Sequence, residues 1–226
     1  MDIKLSLKYV IAFIALTFVM HEAHEIVHTT VGRIICGCWG QRDFNVWGLC
    51  DGCIEKHPIA LASTFAGPIF TFIMIWIGTS MLKASNSNSK KAFGFSLIFA
   101  NMPFARLVLN PALGGGDEIY GLNQILHNHS LATIIGVIIL TAILAFPLYK
   151  AFKIINNKRI AYFLLFLLAP ILIDLLMVLG VMNSLLTKGI LNNYWILGSP
   201  ILVTVWTFAV SVIFILTRKH IYKLTQ

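Results

Sequence analysis

The chain has 226 residues, 58% of them hydrophobic and only 12% charged, with a mean hydropathy of +0.84. That composition excludes an ordinary soluble globular domain and reads as a polytopic membrane protein, an all-α bundle of about six transmembrane helices forming one membrane-embedded domain over residues 1–226. The formal charge of +8 does not call for nucleic acid as a partner, because the basic residues gather at the ends of apolar segments, where they set orientation against membrane lipid.

The first predicted span runs from about Leu5 to Ile35 and carries His21, Glu22, His24, Glu25 and His28. It is too long, and too polar at its far end, for a cleavable signal peptide, and no small-residue cleavage site follows. Residues 36–57 form a loop holding all four cysteines, as Cys36-Gly37-Cys38 and Cys50-Asp51-Gly52-Cys53. The second span, about Ile59 to Leu82, contains Ala66-Gly67-Pro68 and ends in the polar run Lys83 to Lys91. A third span, about Phe93 to Leu113, includes Asn101, Pro103 and Arg106 and is expected to break at Asn110-Pro111. Gly114-Gly115-Gly116 follows, too glycine-rich to continue a regular helix, and leads into Asp117 and Glu118. Spans four to six are about Leu131 to Tyr149, Ile160 to Val181 and Tyr194 to Thr217.

Lys and Arg divide unevenly between the two sides of such a bundle. One side has Lys4, Lys8, Lys83, Lys90, Lys91, Lys150, Lys153, Lys158, Arg159, Arg218, Lys219 and Lys223, and the other only Arg33, Arg42, Lys56 and Lys188. The positive-inside rule then places both termini in the cytoplasm and the cysteine loop outside.

Depth along the spans adds an argument that holds in either orientation. Spans one, three and five run in the same direction. At about 1.5 Å rise per residue, His24 lies about 22 Å past Tyr9, Arg106 about 20 Å past Phe93, and Asp174 about 21 Å past Ile160. A charge buried in hydrocarbon costs several kcal/mol unless it is paired or ligated, so three ionisable residues at one level predict convergence on a polar site.

The chemistry of that site is carried by His24-Glu25-Ile26-Val27-His28, an H-E-x-x-H pattern. Residues four apart share a helix face, so both imidazoles can hold one zinc ion, with Glu25 beside them as general base and then general acid toward a leaving amine. The competing reading makes the histidines polar residues at a membrane–water boundary. A catalytic zinc takes three protein ligands. Asp117 is the first choice for the third, on a broken helix end. Asp174 is the second, with an ion pair to Arg106 as its alternative role, and Glu118, His127 and His129 follow. His21, on the face of His24, is a ligand, a hydrogen-bond donor to a carboxylate or a lining of the water path. Glu22 reads as a solvated or hydrogen-bonded neighbour. Asn101 and Asn110 either donate to a developing oxyanion or cap carbonyls freed around Pro103 and Pro111.

With H-E-I-V-H in a first span, Ala66-Gly67-Pro68 opening the next, and a Pro- and Gly-broken third span ending in an acidic residue, the chain resembles the site-2 protease group of intramembrane zinc metalloproteases. The features that carry the resemblance cover roughly residues 20–120, within a metalloprotease-like core of about residues 5–120; the helices over about 131–217 lie outside it. It implies His24 and His28 as zinc ligands, Glu25 as the catalytic acid, Asp117 as the distal ligand, and a membrane-embedded protein or peptide as substrate. The group commonly has Asn-x-x-Pro-x-x-x-x-Asp-Gly, whereas here Asn110-Pro111 precedes Asp117 and Glu118 follows it. It often has Asn where this chain has Thr71, and its metal helix typically runs from outside to cytoplasm, opposite to the lysine count. An extracytoplasmic loop suits two disulfides among Cys36, Cys38, Cys50 and Cys53, with three connectivities open, and a cytoplasmic loop suits a structural zinc. Trp39 and Trp47 read as interfacial anchors, or as part of a re-entrant segment beside the site. Two other classes of function compete: a metal-transporting or metal-sensing membrane protein relaying through His21, His24, His28 and Asp174, and a catalytically silent relative serving as a binding module.

Overall fold

A computed structural model describes residues 1–225. Six helices are long and apolar enough to cross a membrane, and they are called here the first to sixth spans: Leu7–Cys36, Pro58–Met81, Asn88–Ala112, His129–Ile154, Arg159–Thr187 and Ile201–Lys223. Among the described residues there is no β-sheet, only two isolated bridges. The chain is an all-α polytopic bundle of the kind lipid demands, because a helix satisfies its own backbone polar groups where no water can.

The first span starts two residues later than composition indicates. The Ser6 hydroxyl caps it by accepting from the Tyr9 backbone N–H at 3.2 Å. It ends where Gly37, at φ 76°, returns its N–H to the Arg33 carbonyl. This span is the hub of the bundle, contacting the second, third, fifth and sixth spans. Its lower half packs Tyr9, Phe13 and Leu16 into a core shared with Phe95, Phe99 and Phe166. Phe13 and Phe95 meet the Phe166 ring edge-on, at centroid distances of 5.1 and 4.9 Å. Gly78 of the second span and Gly94 of the third lie backbone to backbone, since a Cβ on Gly78 would fall 2.6 Å from the Gly94 carbonyl oxygen.

The third span breaks earlier than Asn110-Pro111. The helix stops at Ala100, and Met102 takes φ 48°. A residue before proline is sterically pushed out of the right-handed helical region, and Pro103 imposes that on Met102. Helix resumes as a wide π turn over Ala105–Leu109 and runs through Pro111 to Ala112. Gly114 and Gly116, at φ 71° and 94°, then reverse the chain into a short helix, Asp117–Leu126. The fifth span changes similarly from α to π geometry at Leu175, five residues after Pro170. The sixth begins at Ile201 rather than Tyr194, whose segment is an irregular turn returning Trp195 N–H to the Ser199 carbonyl.

The loop between the first two spans folds into the bundle. Disulfides Cys36–Cys53 and Cys38–Cys50 nest one inside the other. The turn between them carries Phe44, fully buried against Phe18, Val178, Met182, Leu202 and Val203. Beside it Arg42, also buried, meets Glu22 of the first span at 3.1 Å and donates to Ser199 at 3.1 Å. The Thr207 hydroxyl of the sixth span completes the cluster by donating to Glu22 at 2.7 Å. Of its two expected roles, solvated or hydrogen-bonded neighbour, Glu22 takes the second, hydrogen-bonded within a buried ion pair. Removing either partner of such a pair costs about 3–5 kcal/mol, because the other charge is left uncompensated.

Candidate metal centre

His24 and His28 lie one helical turn apart on the buried face of the first span. Asp117 reaches the same point from the first residue of the helix that follows the glycine turn. His24 Nε2 is 3.0 Å from His28 Nε2 and 3.1 Å from Asp117 Oδ2, and His28 Nε2 is 3.4 Å from the same oxygen. Ligands held tetrahedrally at about 2.0–2.1 Å from zinc are about 3.3–3.4 Å apart, so the three donors stand at nearly the separation a zinc ion requires. Among the described residues they are the one set of three His, Cys, Asp or Glu side chains with donors close enough to share an ion.

Each imidazole is oriented through its other nitrogen. His28 Nδ1 donates to the Ser63 carbonyl at 2.7 Å, and His24 Nδ1 lies 3.0 Å from the Thr71 hydroxyl. Both arrangements leave Nε2 as the metal-facing nitrogen. Space for the rings comes from Gly67: a Cβ there would collide with His28 Nε2 and lie 2.6 Å from His24 Cε1. Trp47 closes the other side, its indole stacked on His28 at 4.5 Å and its N–H directed to Asp117 Oδ1 at 3.5 Å. Burial pushes the Asp117 carboxyl up, and the imidazole hydrogen bonds from His24 and His28 more than offset this, holding it well below the usual carboxylate range.

The chain matches no known family, no curated protein and no solved structure. What the site can do rests on its own geometry.

Glu25 is buried, and its Oε2 finds no hydrogen-bond partner among the described residues. Its Oε1 is 4.0 Å from His21 Nε2. His21 joins no metal donor set: its Nδ1 faces Asp174 Oδ1 at 2.7 Å and its Nε2 the Phe44 carbonyl at 3.1 Å. Asp174 is thus engaged by His21 and does not pair with Arg106. Arg106 instead donates from Nη1 to Glu118 at 2.8 Å. Its Nη2 lies 3.0 and 3.3 Å from the two nitrogens of His24. Near-equal reach to both places Nη2 over the face of the ring, because in the ring plane it would overlap Cε1. A cavity of about 580 Å³ opens beside these groups, lined among others by His21, His24, Glu25, Arg106, Asp117 and Asp174.

The remaining candidates lie apart from the donors. Asn101 donates to the Leu97 carbonyl at 2.7 Å, capping the helix end before Met102. The Asn110 side chain packs under Gly116, and its main-chain carbonyl accepts from the Gly115 N–H at 2.9 Å. His129 donates to the Gly114 carbonyl at 3.0 Å, and His127 is an exposed residue ending the short helix. The contributions of Ser63, Gly67 and Trp47 are not visible in motif spacing, although Gly67-Pro68 inside an apolar span and a tryptophan in a cysteine-bounded loop mark where they lie.

Proposed function

We propose that this chain is a membrane-embedded zinc endopeptidase of the site-2 protease type, cutting peptide bonds of membrane-embedded proteins. The observation that carries the proposal is the donor triangle of His24, His28 and Asp117, with an unpartnered Glu25 carboxylate oxygen beside it. When bound there, zinc supplies Lewis-acid polarisation and lowers the pKa of water.

The chain's own residues divide the rest of the work. Thr71 and the Ser63 carbonyl hold the imidazoles in the tautomer that presents Nε2. Glu25 Oε2 takes a proton from the attacking water and returns it to the departing amide nitrogen. Trp47, stacked on His28, and the Phe44 carbonyl, facing His21, bring the disulfide-tied loop against one side of the site. The glycine turn at Gly114–Gly116 lies on the cavity wall; the Gly114 and Gly115 N–H groups and the Gly114 carbonyl are bonded within the chain, so the Gly116 N–H and the Gly115 carbonyl are the groups that would pair with an extended substrate. Disulfides persist in oxidising compartments, so the paired cysteines favour an extracytoplasmic loop, in agreement with the lysine distribution and cytoplasmic termini.

The test is metal analysis and cleavage of a membrane-reconstituted peptide by wild type and Glu25→Gln. The variant is expected to keep one zinc per chain and lose activity by about 1,000-fold or more, as loss of an essential general base does. Equal cleavage by both proteins, or zinc flux across vesicles with no cleavage, overturns the reading.

A further inference from the structure

Arg106 is held in place by one edge of its guanidinium only. Nη1 carries the ion pair to Glu118. Nε is buried and finds no acceptor among the described residues. Nη2 faces the His24 ring, whose Nδ1 is already matched to Thr71 and whose Nε2 is turned to the donor triangle. A guanidinium only donates, and a ring so engaged has no lone pair to offer it. Nε and Nη2 are the two nitrogens whose N–H bonds run parallel along one edge of the planar group, the edge that elsewhere grips carboxylates and other paired oxygens. One nitrogen of that fork, Nη2, stands over a proposed zinc ligand on a residue that lines the cavity, and neither nitrogen has an oxygen to bind among the described residues.

We propose that Arg106 is a catalytic residue whose Nε–Nη2 edge donates to the scissile carbonyl oxygen as it becomes an oxyanion. This rests on the peptidase reading above. In the step concerned, the water oxygen bonds to the carbonyl carbon, its proton passes to Glu25, and the C=O π pair moves onto the oxygen facing Arg106. The C–N bond then breaks as that pair re-forms C=O, and the amide nitrogen leaves with the proton from Glu25. Two fixed donors at the position where charge develops stabilise the transition state more than the neutral ground-state carbonyl. Glu118 keeps the guanidinium from swinging away, and the donors stay aligned without reorganising.

The experiment uses full-length protein in phosphatidylcholine vesicles and a quenched fluorogenic peptide of apolar transmembrane composition. Arg106→Lys retains a cation for Glu118 but has no fork, and Arg106→Gln removes the charge. Both are expected to keep zinc and to lose kcat about 100-fold or more with KM changed by less than about threefold. Added guanidinium ion restores part of the kcat of an Arg106→Ala variant. A phosphinic analogue of the same peptide, a tetrahedral mimic, binds Arg106→Lys more weakly than wild type by about the factor lost in kcat. Wild-type kcat in zinc-replete Arg106→Lys, or a rise in KM alone, overturns the inference while leaving the peptidase reading intact. Zinc loss in both Arg106→Lys and Arg106→Gln makes the residue structural and also overturns it. Absence of cleavage by wild type sinks the parent reading instead.

Discussion

An imidazole that offers one nitrogen to a metal must place a proton on the other, and what accepts that proton sets the ring's angle and basicity. Here the acceptors differ in kind: a main-chain carbonyl at Ser63 for His28, a hydroxyl at Thr71 for His24. Only the second can be removed by substitution. Thr71→Val keeps the shape and deletes the oxygen, and zinc affinity measured by chelator competition is expected to fall about 10–100-fold with helical content unchanged. That His24 and His28 share a face is legible from four-residue periodicity, because the demand a shared ion would make is local to one helix. Asp117 is legible because a carboxylate at a broken helix end is free to approach. The Ser63 carbonyl leaves no mark in sequence, since every residue has one. The depth argument brings Arg106 and Asp174 to the site, but equal depth does not say who pairs with whom. Packing decides that, giving Asp174 to His21 and Arg106 to Glu118.

Helices in lipid gain little from burying apolar area against one another, so close backbone approach decides where they cross. The second and third spans meet at Gly78 and Gly94, with Met81 covering the contact. Gly94→Leu has no room, because even a Cβ there would lie 2.5 Å from the Gly78 carbonyl oxygen and 2.6 Å from Met81 Cβ. The variant is expected to lose about 1–3 kcal/mol or more, read as a lower thermal midpoint in detergent. Zinc should be lost at lower temperature too, since the third span leads to Asp117. The six apolar runs locate all six helices, with ends that differ by up to about seven residues, because length and hydropathy fix the existence of a span more closely than its caps. The interruptions are harder to read. Pro111 is tolerated in the turn just after a wide π turn, while Pro103 breaks the helix through its effect on Met102. Which of two prolines ends a helix depends on whether neighbouring turns can open, and that is tertiary information.

At the scale of the whole molecule, the loop between the first two spans is a plug. It buries Phe44 between three spans, pairs Arg42 with Glu22, and lays Trp47 over His28. Its four cysteines announce a constrained loop, but the nested pairing and the inward path depend on where the sixth span stands. Closing loops of 17 and 12 residues contributes about 3 kcal/mol per bridge. Reduction is therefore expected to leave helical circular dichroism unchanged while trypsin, excluded before, begins to cut after the buried Arg42. Unchanged resistance after full reduction would show that packing alone keeps the loop seated. The Phe44 pocket has a consequence for the order of assembly. Part of its wall, at Leu202, Val203 and Val210, lies far downstream of the loop in the chain. A nascent chain that has not yet reached those residues carries the H-E-x-x-H helix and its loop without that wall, so the loop is expected to seat only once the sixth span has docked.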